Sequence, residues 1–504
     1  MNFLTHIDTI DLGDEQKENL SGEQKAKLVM NSLLKVVPTF DAEAWVDIFG
    51  WMGVVETPGN TASASVFKQV YKNATITIVT QLAKKHKWQF ANDANLIYIY
   101  DEKFWIEVEV KNIKHFLNMI ANKLGVPRWI ASDAGFIDNL YKQLEPEGFF
   151  EPMVHPNATL LNFTNGTLHI DLKTVQLKPF NRLDFMTHQL DYQYDKSAVN
   201  NQWLGFLDMV LPDKDTQKTL QQSLGYLFTK DLKLEKATFL YGTGSNGKSV
   251  VFEVLTGLLD SKMITNYSLN SLTHVTGYHR SGLNNKLINY GTDISMKHMD
   301  HGVFKQLVSG EPVEVRQIYE KPYIMKNYAK LIFNLNKIDD ADVESTIGFF
   351  RRMVFIPFEI TIKSEDQDKN IHKKILQNKS GVLNWLVEGI EEVLKNQEIF
   401  ISKRCEDFLE NFKKELNLAI RFIEEVDLRQ STEETMSFKS LYESFIYFCK
   451  EQGEKPLSQK HFNAELKKID YEFERKTHGN VWYAYKHSIT SSSTDDWAQA
   501  FKVS

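Results

Sequence analysis

Between Gly242 and Ser249 the chain reads Gly-Thr-Gly-Ser-Asn-Gly-Lys-Ser, an instance of the phosphate-binding pattern Gly-x-x-x-x-Gly-Lys-Ser. This pattern works only when a strand feeds the loop and a helix leaves it. Both flanks are present. Thr238 to Tyr241 is an apolar, β-prone run, and Val250, Val251, Val254, Leu255 and Leu258 recur at helical spacing behind the loop. Glycines let successive backbone N–H groups curl around phosphate oxygens, and the new helix points its positive end at them. Gly242, Thr243, Gly244, Ser245, Asn246, Gly247, Lys248 and Ser249 are therefore the expected ATP-binding residues. Lys248 would reach the β- and γ-phosphates, and the Ser249 hydroxyl would hold Mg²⁺.

A chain of 504 residues has room for about three or four domains. Hydrophobic residues make up 42% and charged residues 25%, the balance of an ordinary globular protein. A formal net charge of −7 excludes a protein that is basic all over. It leaves room for nucleic acid, since a positive channel can sit in an acidic body. Two cysteines, Cys405 and Cys449, with no Cys/His cluster around them, argue against disulfide scaffolds and zinc sites. The acidic start and the lack of a long apolar run lead us to expect a cytoplasmic protein with no membrane partner.

Residues 1–150 read as an N-terminal α+β region. The apolar positions Leu28, Val29, Leu33 and Leu34 share a stripe, and Thr57 to Ser65 is small, polar and turn-rich, a linker or exposed loop. Leu96 to Tyr100 and Phe104 to Val110 form an expected hairpin about Asp101-Glu102-Lys103, followed by a helix ending at Gly125. No paired-carboxylate centre stands in this region. Residues 151–230 read as a collar: a hairpin at Asn165-Gly166, then helices over 202–211 and 216–228 leading into the loop strand.

Residues 231–400 hold the expected ATPase core. A second β run, Lys286 to Ser295, places Asp293 at its end, where an acid beside a phosphate loop serves Mg²⁺ and water; alone, it is as readily a solvated cap. Gly310 to Asn336 reads as strand, tight turn at Glu320-Lys321-Pro322, strand, then a third, buried strand. Arg316, Tyr319 and Lys321 near the tip suit a nucleic-acid backbone, or are simply the wet residues of a turn. Asn336 is either a sensor amide holding the attacking water or a strand-end turn residue. Arg351 and Arg352 open another β run; they are solvated charges, or one reaches the γ-phosphate of a neighbouring subunit. Ser380 to Asn396 is an amphipathic helix that would pack on this core.

Residues 401–430 read as a charged helical connector. Residues 431–488 give helix, turn, helix and a two-stranded wing about His478-Gly479-Asn480, the order of a winged-helix domain. Gln459, Lys460, His461 and Asn463 would face a DNA groove, with Lys460 and His461 the expected contacts. Residues 489–504 are low-complexity and read as a disordered tail.

With LYGTGSNGKSVVFEVL, LINYGTDIS, LVSGEPVEVRQIYEKPYIMKNYAKLIFNLNKI and FFRRMVFIPF in this order, the chain resembles superfamily 3 helicases, within the AAA+ ATPases. It looks most like the helicase part of phage, plasmid and poxvirus-type primase–helicases. Its layout is similar to replication initiators of staphylococcal pathogenicity islands. The resemblance implies an α/β fold: an AAA+ P-loop ATPase core, an N-terminal α+β region and a C-terminal winged helix. It makes Lys248 and Ser249 the Walker A residues, Asp293 the Walker B acid on Mg²⁺, and Asn336 the motif C sensor. Arg352, with Arg351 beside it, is the implied arginine finger acting between subunits, and Lys321 with its neighbours the DNA-translocating hairpin. Thr292 stands where relatives often carry a first acid, leaving Asp293 to serve metal and water alone. The primase half of the longer relatives is missing, which points to a separate primase or polymerase.

The implied protein is a homo-hexameric, ATP- and Mg²⁺-dependent DNA helicase for replication initiation. It would hold single-stranded DNA in its channel and duplex or origin DNA on the winged helix. Two rivals differ in class. One is a sequence-specific origin-binding initiator whose ATPase is only an assembly switch. The other is a small-molecule phosphotransferase, which would need neither the arginine pair nor the hairpin.

Overall fold

The computed structural model describes residues 22–51, 64–85, 90–93, 96–147, 151–152, 159–171, 175–230, 232–292, 296, 299–319, 321–336, 347–469, 473–476 and 479–486. Among these, no helix is long and apolar enough to cross a membrane.

The chain is a mixed α/β protein built on a five-stranded parallel sheet. Its strands lie in the order Met353–Pro357, Ala237–Tyr241, Lys330–Leu335, Ile288–Gly291, Ile264–Thr265. Both faces are buried, so side chains alternate between two apolar cores. Phe239, Phe333 and Phe355 stack on one face, with ring centroids 5.6 Å and 5.2 Å from Phe239. Leu240, Ile332 and Ile356 enter the other, against Val251, Val254 and Leu258 of the helix Lys248–Leu258.

The collar adds to that second core. The hairpin Thr159–Phe163/Gly166–Ile170 forms, but it turns through Thr164 and Asn165, one position before the expected Asn165-Gly166, because Gly166 already pairs with Phe163; Val175–Lys178 then pairs beside it. The helices Asn201–Val210 and Lys214–Leu227 start where Asn200 and Asp213 accept hydrogen bonds from Trp203 N and Thr216 N. Lys379–Asn396, expected to pack on the ATPase core, is the amphipathic helix its pattern predicts but lies chiefly along the second of these collar helices.

The N-terminal region has its own core. Strands Trp105–Val108, Leu96–Tyr100, Phe90–Asp93 and Glu151–Pro152 form one sheet, with the expected hairpin turned by Asp101, whose Oδ1 accepts from Lys103 N and Phe104 N. The helix Val110–Lys123 stops at Gly125, which takes φ +82°. Of the expected stripe on Gly22–Lys35, Leu33 is buried and Val29 and Leu34 pack half-buried against the core, while Leu28 is exposed; Ala26 and Met30 complete the inner face. Most of the stretch read as a linker lies outside the described residues, but a helix sets in at Ala64 and runs to Lys85.

The stretch read as a connector divides by packing. Lys403–Leu416 lays Phe408 and Phe412 on Phe355 of the central sheet. Leu418–Glu425 instead brings Phe422 into the C-terminal core with Phe445 and Phe462. That unit runs helix Leu418–Glu425, strand Leu428–Ser437, helices Phe438–Glu451 and Gln459–Lys468, then strands Phe473–Lys476 and Gly479–Lys486. Its three strands pair in the order first, third, second. His478 and residues 487–504 lie outside the described residues. Cys405 and Cys449 are free and buried, and among the described residues no group of three His, Cys, Asp or Glu could hold a metal ion.

Candidate phosphate-loop and nucleic-acid site

The loop from Gly242 to Gly247 leaves the carboxyl end of a central parallel strand, where open α/β sheets place ligands. Two of its glycines are required by geometry. A Cβ on Gly242 would collide with the Asn246 amide and stand 2.6 Å from the Phe358 carbonyl oxygen. Gly247 takes φ +91° as the N-cap of Lys248–Leu258, and a Cβ there would meet Val210 Cγ1 at 2.8 Å. The collar helix thus presses directly on the loop.

Lys248 is buried, its Nζ donating to the Gly242 carbonyl at 2.5 Å and to Asn246 Oδ1 at 2.9 Å. Asn246 in turn donates from Nδ2 to Phe358 O at 3.0 Å, and Ile362 N donates to Ser245 O at 2.8 Å. The chain leaving the edge strand Met353–Pro357 therefore wraps the loop. Ser249, in the first helical turn, is exposed, as are Thr243 and Ser245, while Gly244 is half-buried.

The strand Lys330–Leu335 is the loop strand's immediate neighbour. Leu335 pairs with Tyr241, and Gly242 N donates to Leu335 O at 3.1 Å, so Asn336 follows at the level of the loop. Asn336 is half-buried and has a partner. Asn334 points into the sheet and accepts from the Tyr290 hydroxyl at 3.0 Å; burial raises the pKa of that phenol. Asp293 lies outside the described residues; Thr292, just before it, is exposed one strand further out.

Arg351 and Arg352 stand at the far end of the sheet. Arg352 O accepts from Ala237 N at 2.8 Å, where the loop strand begins. Five residues of strand, about 16 Å at the usual rise, separate the pair from the loop. Arg352, which sequence reasoning favoured as the reaching arginine, is only 11% exposed. Its Nε and Nη2 donate to Ser309 Oγ at 3.0 Å and 2.9 Å, and its Nη1 to Gly348 O at 2.6 Å. Arg351 is 58% exposed.

The expected hairpin forms from Val313–Val315 and Tyr323–Met325. At its tip Tyr319 takes φ +67° and is fully exposed, and Ile318 and Lys321 are exposed beside it. Sequence reasoning missed the second half of this surface. The loop His274–Tyr278 carries Val275, 87% exposed, and Tyr278, whose ring lies 6.0 Å from the Arg316 guanidinium. Buried Arg280 fixes the two together, donating to His274 O at 2.6 Å and to Glu314 O at 3.3 Å. Gly277, at φ +70°, marks this loop as a turn, but no spacing in the sequence associates it with the hairpin.

In the C-terminal unit, Ser458 caps Gln459–Lys468 by accepting from His461 N. Gln459, Lys460 and His461 are exposed, and Asn463 is half-buried.

Comparison with known proteins fits this arrangement. Residues 64–212 match the family profile described as D5 N terminal like, and residues 240–352 match one described as a family of unknown function, DUF5906. Both are typical of phage and plasmid primase–helicase proteins. The D5 N terminal like match points to a primase–helicase-like replication protein. No curated protein matches the chain. Solved structures that match include the A form apo structure of the NrS-1 C-terminal region, at 11% identity and TM-score 0.45, over 81% of this chain and 99% of that one. A second apo structure of the NrS-1 C-terminal region matches at 11% identity and TM-score 0.42, over 81% and 98%.

Proposed function

We propose that this chain is an ATP-driven DNA helicase of the superfamily 3, AAA+ type, acting as a homo-hexameric ring in replication initiation. The observation that carries the reading is the separation of loop and arginines. The cradle built by Gly242, Gly247, Asn246 and Lys248 suits a nucleoside triphosphate tail, whereas Arg351 and Arg352 sit at the other end of the same sheet. An arginine so placed serves the γ-phosphate of the adjacent subunit, so each site is shared between two copies.

Ser249, exposed in the first helical turn, and Asp293 would hold Mg²⁺, which neutralises charge on the β- and γ-oxygens. Lys248 leaves Gly242 O and Asn246 to bind those oxygens, and Asn336 orients the attacking water. Hydrolysis shifts the hairpin, with Arg316, Tyr319 and Lys321 gripping a single strand and Val275 widening the grip. The C-terminal unit acts as a winged helix, with Lys460 and His461 on duplex or origin DNA. A separate primase or polymerase supplies synthesis.

The test is the mass and ATP turnover of the purified chain with and without single-stranded DNA. A ring-sized mass and DNA-stimulated hydrolysis are expected. A monomer whose turnover ignores DNA would contradict the reading.

A further inference from the structure

We propose that Glu235 is the positioning residue of the arginine pair, with Arg352 as anchor and Arg351 as the side chain that reaches the neighbouring subunit. This rests on the reading above, that the pair acts across a subunit boundary.

One carboxylate oxygen, Glu235 Oε2, lies 3.0 Å from Arg351 Nη2 and 3.2 Å from Arg352 Nη2. Two guanidinium groups repel unless an anion stands between them, and Glu235 is that anion. Its backbone is held at φ +55°, a region that a non-glycine residue seldom adopts. The two arginines are unequal. Arg352 adds Ser309 and the Gly348 carbonyl to this contact and is nearly buried, so it cannot extend without breaking all of them. Arg351 spends its guanidinium on Glu235 alone among the contacts seen, and its main chain is pinned by Lys236, whose Nζ donates to Arg351 O at 2.5 Å. It is the more exposed of the two and is oriented from both sides. An ordinary surface ion pair would contribute little to stability and nothing to turnover. A positioning carboxylate acts on turnover in the neighbour's site.

The test mixes full-length subunits. Arg351→Ala subunits keep an intact loop, and Lys248→Ala subunits keep an intact arginine; mixed, they should recover ATP hydrolysis. Donors carrying Lys248→Ala with Glu235→Gln should recover about 10- to 100-fold less kcat, with KM for ATP unchanged, because only the reaching group is misplaced. The same Glu235→Gln placed in the Arg351→Ala subunit should cost far less. Equal recovery by both donors would overturn the proposal while leaving the shared site intact. No recovery by the simple Lys248→Ala donor, with rings formed, would overturn the shared site and the proposal with it. If Glu235→Gln lowers the melting temperature of its donor, Glu235→Asp replaces it: the charge stays, the bridge is too short, and the same outcomes apply.

Discussion

Asn246 ties the phosphate loop to the edge of the sheet: its Nδ2 donates to the Phe358 carbonyl oxygen at 3.0 Å. The same amide presents Oδ1 to Lys248 Nζ at 2.9 Å, so one buried side chain holds both the loop's shape and its lysine. Asn246→Ala removes both bonds and leaves the Phe358 carbonyl without this donor. We expect a stability loss of about 1–3 kcal/mol by thermal melting. The ATP KM should rise on the order of 10-fold, the equivalent of about 1.4 kcal/mol of binding. An unchanged KM would mean the loop is held by other means.

Tyr319 stands in a left-handed backbone conformation at the hairpin tip. It is fully exposed at φ +67°, a conformation that a glycine adopts without penalty. Tyr319→Gly should therefore leave the melting temperature unchanged or raise it slightly, while binding of single-stranded DNA weakens by about 1–3 kcal/mol from lost stacking. Fluorescence anisotropy with a labelled oligonucleotide, beside a melting curve, reads both. Loss of stability with unchanged DNA affinity would place Tyr319 among structural turn residues.

Val275 gives an independent check of the same surface. Val275→Asp puts a negative charge beside the hairpin at a side chain that is 87% exposed. Folding should be untouched, since exposed substitutions of this kind stay within about 0.5 kcal/mol. Affinity for single-stranded DNA should fall, and fall less at high salt, where the added charge is screened.

The central strands, the loop, the hairpin and most helix starts were legible because each carries a local signature. Examples are the strand–glycine–helix order around Lys248, Asn165-Gly166 within one residue of a turn, and Ser458 before Gln459–Lys468. What was not legible depends on partners distant in sequence. The helix Ala64–Lys85 contains Ala-Thr-Ile-Thr-Ile-Val, a β-branched run of low helix propensity. It is helical because Val70, Ala74, Ile76, Ile78, Val79 and Leu82 are all buried, and packing outweighs propensity. Leu418–Glu425 is charged like a linker, yet Phe422 joins it to the C-terminal core. Likewise the contrast between Arg351 and Arg352 is set by Ser309 and Glu235, which no spacing in the sequence associates with them.

On the C-terminal unit, Lys460 is exposed at the first turn of Gln459–Lys468. Lys460→Ala should weaken duplex binding evenly across sequences and reduce the salt slope by about 1. A change confined to one sequence would indicate base reading instead, and no change would remove this helix from the DNA surface.

The most direct measurement of the whole account is strand separation on a forked duplex with ATP and Mg²⁺, comparing the natural chain with Lys248→Ala. The account predicts ATP-dependent unwinding by the natural chain, and loss of unwinding and hydrolysis in the variant with DNA binding retained. Binding without strand separation by the natural chain, or unwinding by Lys248→Ala at the natural rate, would contradict it.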